Sequence, residues 1–282
     1  MRRLERISPT AVALCLGVLA GSASAKDWSS VRIATEGAYP PWNATDSSGQ
    51  LVGFEIDLAQ DLCKRMKATC EIVAQDWEGI IPALQAGKYD VIMAGMSITD
   101  ERKQVIQFSD SYAATPARFA VVEDSDLASL TSQLDRANLD EVDADEQAAI
   151  DALRQAFEGK SVGVQVATTH ANFLEKYMAD AVEIRKYDTQ ENLDLDLQAG
   201  RVDLALASMS YWQPLMETEK GKDFKVIGPG MTGGPFGAGV GVGIRQEDDD
   251  LVAMFNKAIA EAQADGTIAR LSEQWFGFDA SS

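Results

Sequence analysis

Two runs of alternating strand-like and helix-like segments, separated by a polar stretch, constrain this chain more than any other feature. In the first run VRIAT (31–35) is a β-branched strand, and GFEIDLAQDLCKRMK places Phe54, Ile56, Leu58, Leu62 and Met66 on one broad helical face. CEIVA then reads as a strand and WEGIIPALQAG as a helix stopped at Gly87. YDVIMAG is a short buried strand, and TDERKQV is a short helix with Thr99 in the N-cap position. The second run repeats the order with KSVGVQV, TTHANFLEKYM, VEIRKY, TQENLDLDLQAG and VDLALAS. Helices that follow each strand cover both faces of a sheet, so each βαβαβ run predicts a largely parallel α/β unit. Between the runs, residues 123–157 are rich in Asp, Ser, Gln and Ala and poor in large apolar side chains, which predicts a solvent-facing elaboration with helical stretches. A glycine-rich tail (228–244), an amphipathic helix over about 248–264 and a last short helix, GTIARLSEQWF, complete the chain.

The first 25 residues stand apart. Arg2, Arg3 and Arg6 precede an apolar run (11–20) too short to span a bilayer, and Ala23 and Ala25 supply the small residues of a cleavage site. This predicts a secretory signal peptide cleaved after Ala25, and Leu14 in front of Cys15 argues against a lipid anchor. The chain carries 44 acidic against 25 basic residues, a formal net charge of −19, and loss of a leader with three arginines and one glutamate makes it more negative by two. Such a surface repels nucleic-acid phosphates and anionic membranes and keeps an exported protein soluble. Cys63 and Cys70 remain, an even pair that reads as a disulfide tying the end of a helix to the next strand. No metal site is expected, because His170 is the only histidine and no second cysteine pair completes a ligand set.

Ligands of open α/β sheets sit beyond the carboxyl ends of strands, so a cleft between two such units would collect Glu36, Trp77, Ser97, Thr168 and Ser208. The segment AGMSITDERKQVIQFSD (94–110) is the sharpest signal: Ser97 and the N–H groups around Met96 face an anion, and Arg102 can fork onto a carboxylate. Beside Asp100 and Glu101 the same arginine also reads as an ordinary solvated residue. Thr168 and Thr169 open a second helix, where threonine commonly serves only as a cap; two opposed helix starts would nevertheless suit one negative group. With one histidine, no G-x-S-x-G elbow and no glycine-rich phosphate loop opening a helix, catalysis is unsupported and no cofactor is expected.

GFEIDLAQDLCKRMKATC, YDVIMAGMSITDERKQVIQFSDSY, VGVQVATT, LQAGRVDLALA and GVGVGIRQEDDDL together resemble the periplasmic solute-binding proteins that feed polar amino acids to ABC importers, over about residues 31–278. Within that family TEGAYPPWN, the cysteine pair and the insertion look most like the octopine and nopaline binders, and next like the lysine/arginine/ornithine binders. The resemblance implies a type II, two-lobed Venus-flytrap clamp. Lobe one would be 26–115 plus 237–282 and lobe two 116–236, with a two-crossing hinge near 113–118 and 229–237. It implies a periplasmic monomer that closes on an amino acid or opine (arginine, ornithine, lysine, histidine, octopine or nopaline) and docks on a membrane permease.

Residue by residue, the resemblance implies that Arg102 and Ser97 hold the α-carboxylate, helped by Gly95 and Met96 and by Thr169 across the cleft. Tyr39 and Trp77 would sandwich the side-chain stem, and Glu36 would meet the distal cation. Ser208 departs from the free-amino-acid pattern, which places an aspartate there to grip the α-ammonium. A neutral residue suits a substituted secondary amine, with Gln165, Thr168 and His170 free to contact whatever extends from that nitrogen. The alternative on the same fold is an exported cyclohexadienyl-dehydratase-like enzyme with Glu36 or Glu78 as its acid.

Overall fold

A computed structural model describes residues 26–282; the leader and its cleavage site lie outside the described residues. Each run becomes one sheet. The first is ordered Thr69–Ala74, Ser30–Thr35, Val91–Ile92, Gly243–Ile244, Gln107–Phe108. Its first three strands are parallel, with Ile33 opposite Ile72 and Val91, and the strand from the glycine-rich tail joins antiparallel. The second sheet is ordered Glu183–Tyr187, Ser161–Gln165, Leu204–Ser208, Ala117–Val122, Phe224–Thr232, Arg136–Asn138. Its first three strands are again parallel, and Ala117–Val122 is antiparallel to Leu204–Ser208. The result is a two-lobed α/β fold whose halves share a plan, because the same strand–helix alternation was written twice.

The helix Phe54–Met66 shows how local sequence serves the first lobe. Phe54, Leu58, Ala59, Leu62 and Cys63 bury one face in a core shared with the helices Asp249–Ala264 and Thr267–Phe276. Each large side chain so buried contributes about 2 kcal/mol. Glu55 and Asp57 lie in the first turn and Lys64 and Arg65 in the last, in the sense the helix dipole favours. Gly53 has φ 134°, and a Cβ there would stand 2.5 Å from the Trp42 carbonyl, so only glycine lets the chain enter this helix. The expected Cys63–Cys70 disulfide is present and joins the last turn to the strand Thr69–Ala74.

The two crossings are bonded to each other: Tyr112 N donates to Val240 O (2.9 Å) and Val240 N to Ala113 O (2.7 Å). The loop after Val91–Ile92 is tied to the same segment, with Ile98 N donating to Gly239 O (2.8 Å) and Ala238 N to Ile98 O (2.9 Å). Gly237, at φ 79°, permits this approach, since a Cβ would fall 2.2 Å from Ile98 O. Pro229 lies inside the strand Phe224–Thr232, where the register shifts between Ile227 and Met231. The second crossing therefore leaves the sheet only after Thr232.

The 123–157 stretch is mostly exposed, as expected, but it also contributes to the second-lobe core. Leu127, Ala137, Leu139, Ile150, Leu153 and Phe157 enter the second-lobe core, and Arg136–Asn138 extends the sheet as an edge strand parallel to Phe224–Thr232. The helix Ala144–Ala156 is capped by Asp143, which accepts from the N–H groups of Asp145 and Glu146. Few apolar residues suffice because Ile150, Leu153 and Phe157 recur at helical spacing. Elsewhere the elements are shorter than the pattern suggested: Trp77–Gly79 is a 3-10 turn before Ile80–Gln85, and Asp100–Lys103 is a single helical turn.

Candidate functional site

Between the lobes lies a cavity of about 200 Å³, lined from both sides. Ten of the eleven expected ligand-binding residues meet there: Glu36, Tyr39, Trp77, Gly95, Ser97, Arg102, Gln165, Thr168, Thr169 and Ser208. Met96 does not. Its side chain is fully buried in the first-lobe core with its sulfur against Gly243, and its carbonyl accepts from Gly241 N (3.2 Å). Successive residues of an extended segment point to opposite sides, so with Ser97 facing the cavity its neighbour must face the core.

Glu55, which the sequence analysis did not single out, organises the first-lobe wall. It is fully buried and accepts from Gly95 N with both oxygens (2.8 and 2.9 Å), from Asn43 Nδ2 (2.8 Å) and from the Tyr112 hydroxyl. Asn43 Oδ1 in turn accepts from Gly37 N (2.8 Å), beside Glu36. One carboxylate thus fixes the two loops that carry Glu36 and Ser97. Burial pushes its pKa up while these donors oppose the rise. The expected help from Gly95 is reduced accordingly, because its N–H is already taken by Glu55.

Arg102 is held in place by backbone and ring contacts. Its guanidinium donates to Ser97 O (2.9 Å) and, across the cleft, to Ala167 O (3.2 Å), and lies 5.3 Å over the Trp77 ring. No carboxylate partners it among the described residues. Withdrawal from solvent lowers its pKa to about 10, opposed by Glu101, so it stays cationic at neutral pH. Ala167 sits at φ 55°, a left-handed conformation that costs a non-glycine residue about 1 kcal/mol, and its carbonyl is the one turned to Arg102.

Glu36 ends the strand Ser30–Thr35 and is 9% exposed. Burial pushes its pKa up to about 7, with Gln165 opposing and the charges of Glu55 and Asp76 reinforcing the rise. Gln165 Nε2 donates to it from the other lobe (2.7 Å) and to Asp188 O (3.1 Å); no cation reaches it among the described residues. Tyr39 stacks on Tyr211 at 4.9 Å, and Tyr211 donates to Asp194, which also accepts from Gln190 Nε2 (3.0 Å). One face of Tyr39 is therefore covered by protein and the Trp77 ring lies beneath Arg102, so the expected sandwich of a ligand stem is partly filled by the protein's own groups.

Most of the second-lobe groups are neutral, and Gln165 and Thr168 are already bonded within the protein. Thr168 Oγ1 donates to Gln165 O (2.7 Å) and accepts from Ala171 N (3.2 Å), which is a helix cap. Thr169 and His170 line the cavity at the start of the helix Thr169–Tyr177, and burial with Arg102 nearby lowers the His170 pKa to about 4, leaving it uncharged. Ser208 precedes the helix Met209–Met216 and makes no side-chain cap bond. Further bonds join the lobes: Trp77 Nε1 to Val166 O (3.0 Å) and Trp42 Nε1 to Ser210 Oγ (2.9 Å). The lobes are thus closed on each other. Sequence reasoning missed Arg136 and Gln190, both of which line the cavity. Only an arginine within an acidic insertion, and a glutamine directly after the Thr189 cap, hinted at them.

The model of one family, "Bacterial extracellular solute-binding proteins, family 3", matches residues 31–278, nearly all of the described chain. The chain belongs to that family. Among curated proteins, this family-3 binding protein is 43% identical to the octopine-binding periplasmic protein of Rhizobium meliloti, over 94% of this chain and 95% of that protein. It is 36% identical to the L-arginine-binding protein of Pseudomonas aeruginosa, over 95% of each. Among solved structures it resembles a periplasmic His/Glu/Gln/Arg/opine family-binding protein from Silicibacter pomeroyi in complex with lysine. That likeness has a TM-score of 0.71 and 34% identity, covering 89% of this chain and 99% of that one. These relatives are named as binding proteins, which places the chain among solute binders and not among enzymes.

Proposed function

We propose that this protein captures a cationic amino acid or an arginine-derived opine in the periplasm and delivers it to the permease of an ABC importer. The observation that carries the reading is the pair Glu36 and Arg102. They are opposite charges on one cavity wall, and neither has an ionic partner among the described residues. A buried charge without a counterion is costly, and a solute with an anion for Arg102 and a cation for Glu36 relieves both costs at once. Ser97 and Thr169 assist at the carboxylate, Tyr39 and Trp77 border the stem, and Gln165 orients Glu36 from the second lobe. Residues 26–115 with 237–282 and residues 116–236 form the two lobes of the clamp, which the ligand bridges on closure. Relatives that are named for octopine and for arginine support the ligand class.

Calorimetric titration with arginine, ornithine, lysine, histidine and octopine, against glutamate and leucine, tests the reading. Binding is expected for at least one of the cationic compounds. A response only to glutamate or leucine overturns it.

A further inference from the structure

The end of the cavity around Glu36 holds a second acceptor. Gln190 lines the cavity from the first position of the helix Gln190–Gln198, in the second lobe, and is 2% exposed. Gln165 places it beside Glu36, because Gln165 Nε2 donates both to Glu36 Oε1 (2.7 Å) and to Asp188 O (3.1 Å), two residues before Gln190. The helix start is firm. Thr189 Oγ1 accepts from Asn192 N (3.3 Å), and Asp188 Oδ1 accepts from Thr189 N (2.9 Å) and from Asn192 Nδ2 (2.8 Å).

The amide of Gln190 has one orientation. Its Nε2 donates to Asp194 Oδ1 (3.0 Å), and the other oxygen of that carboxylate accepts from the Tyr211 hydroxyl. Tyr211 in turn stacks on Tyr39 of the first lobe. Burial pushes the Asp194 pKa up to about 6, so at and above neutral pH it is mostly ionised and can only accept. Gln190 therefore gives Asp194 its NH2 and turns its carbonyl oxygen away, and that oxygen accepts no hydrogen bond among the described residues. A buried acceptor without a donor is costly, and in a ligand cavity an N–H of the solute answers it.

The shape of the cation then matters. An ammonium carries three N–H groups on one atom, whereas a guanidinium spreads five over a plane. A carboxylate forks onto two of these, and Glu36 Oε1 already accepts from Gln165. The remaining N–H groups of an enclosed guanidinium need an acceptor to one side of the carboxylate, which Gln190 supplies.

We propose that Gln190 is a specificity-determining residue whose carbonyl oxygen accepts from a guanidinium held by Glu36, with Asp194 and Tyr211 as the positioning pair that fixes its amide. The inference rests on the cationic-ligand reading above and assigns within it the residue that tells a guanidinium from an ammonium. The test is calorimetric titration of the mature protein and of its Gln190→Met and Asp194→Asn variants with two matched pairs: L-arginine against L-lysine, and octopine against its lysine counterpart, N2-(1-carboxyethyl)-L-lysine. The wild type is expected to prefer the guanidinium member of the pair it binds. Gln190→Met keeps the volume but not the acceptor, and should reduce the ratio of the two affinities about tenfold. In Asp194→Asn the Tyr211 hydroxyl keeps the new amide's oxygen, so its NH2 faces Gln190, turns that amide over and points a donor at the cation. The ratio should fall by a similar factor although Asp194 does not line the cavity, whereas a merely structural role would lower both affinities alike. A wild-type preference for the ammonium member, or an unchanged ratio in Gln190→Met, overturns this inference while the cationic-ligand reading stands; an unchanged ratio in Asp194→Asn overturns the positioning role. Binding of none of the four compounds by the wild type removes that reading and this inference with it. Unfolding midpoints of both variants close to wild type separate a lost contact from a lost fold.

Discussion

The first-lobe wall of the cavity carries Glu36 and Arg102, charged groups without ionic partners among the described residues, on loops that the buried Glu55 pins to one another. Most of the second-lobe wall is neutral, and its groups are bonded within the protein: Gln165 to Glu36 and Asp188 O, and Thr168 to its own helix cap. Arg136 is the exception. The contrast suits a clamp in which the first lobe meets the two ends of a zwitterionic solute and the second lobe completes the enclosure and selects among solutes. It also separates two costs. Charge left unpaired for a ligand lowers stability until the ligand arrives, whereas a fully bonded polar group such as Glu55 supports the fold itself.

The largest expected effect comes from breaking the support of the first wall. Glu55→Ala leaves Gly95 N, Asn43 Nδ2 and the Tyr112 hydroxyl without their acceptor, and should destabilise the protein by about 3 kcal/mol or more. Thermal unfolding checks it, with a midpoint lowered by roughly 10 °C. The counterpart on the second wall, the half-buried Asp194, should cost only about 1 kcal/mol when changed to Ala. Equal losses would erase the distinction between a pinned and an unpinned wall.

Arg102→Ala comes next. It should weaken a carboxylate ligand by about 2 kcal/mol, roughly thirtyfold, with little loss of stability, because no carboxylate in the protein depends on it. Titration calorimetry alongside unfolding shows whether affinity and stability part in this way.

Glu36 offers a pH test of about tenfold. Its pKa is raised by burial to about 7, above the ordinary carboxyl value of 4.5. The folded protein therefore holds this proton more tightly than the unfolded chain. The associated stability is fully present below about 4.5 and is lost as pH rises through 7. A cationic ligand needs the ionised form, so its affinity should fall as pH drops below 7, by up to about tenfold per pH unit. Glu36→Gln should flatten this dependence; an unchanged profile in that variant would assign the titration elsewhere. His170 stays neutral in the folded protein down to about pH 4, so it adds no slope of its own to the affinity above that value.

The smallest effect is that of Thr168→Ala, about 1 kcal/mol of stability from a lost helix cap, with ligand affinity changed much less. A larger change in affinity than in stability would mean that the hydroxyl contacts the ligand and that the second wall is less passive than its bonds suggest.

Much of this molecule was legible in order along the chain. The doubled strand–helix alternation specified two α/β units, because periodicity reports which face of each segment must leave water, and that depends on neighbours within one element. The motif around Ser97 and Arg102 and the acid at Glu36 were legible for the same local reason. Glu55 was not. A buried acid and an exposed one in a helix's first turn look alike in sequence, and only the approach of Asn43, Gly95 and Tyr112 turns one into a fastener. Met96 went the other way, since a one-residue alternation sends it to the core while Ser97 faces the cavity.

What the sequence by itself determined is the two-unit α/β plan, the disulfide pair and most of the charged residues of the cavity, all of which follow from composition and short-range spacing. The tertiary structure alone decided that the insertion adds an edge strand, that Arg136 reaches the cavity, and that second-lobe carbonyls and amides close on first-lobe charges. Those contacts join residues from about 65 to 129 positions apart, and no local pattern encodes a partner at that distance. They form only once two cores have packed and two crossings have set the lobes face to face.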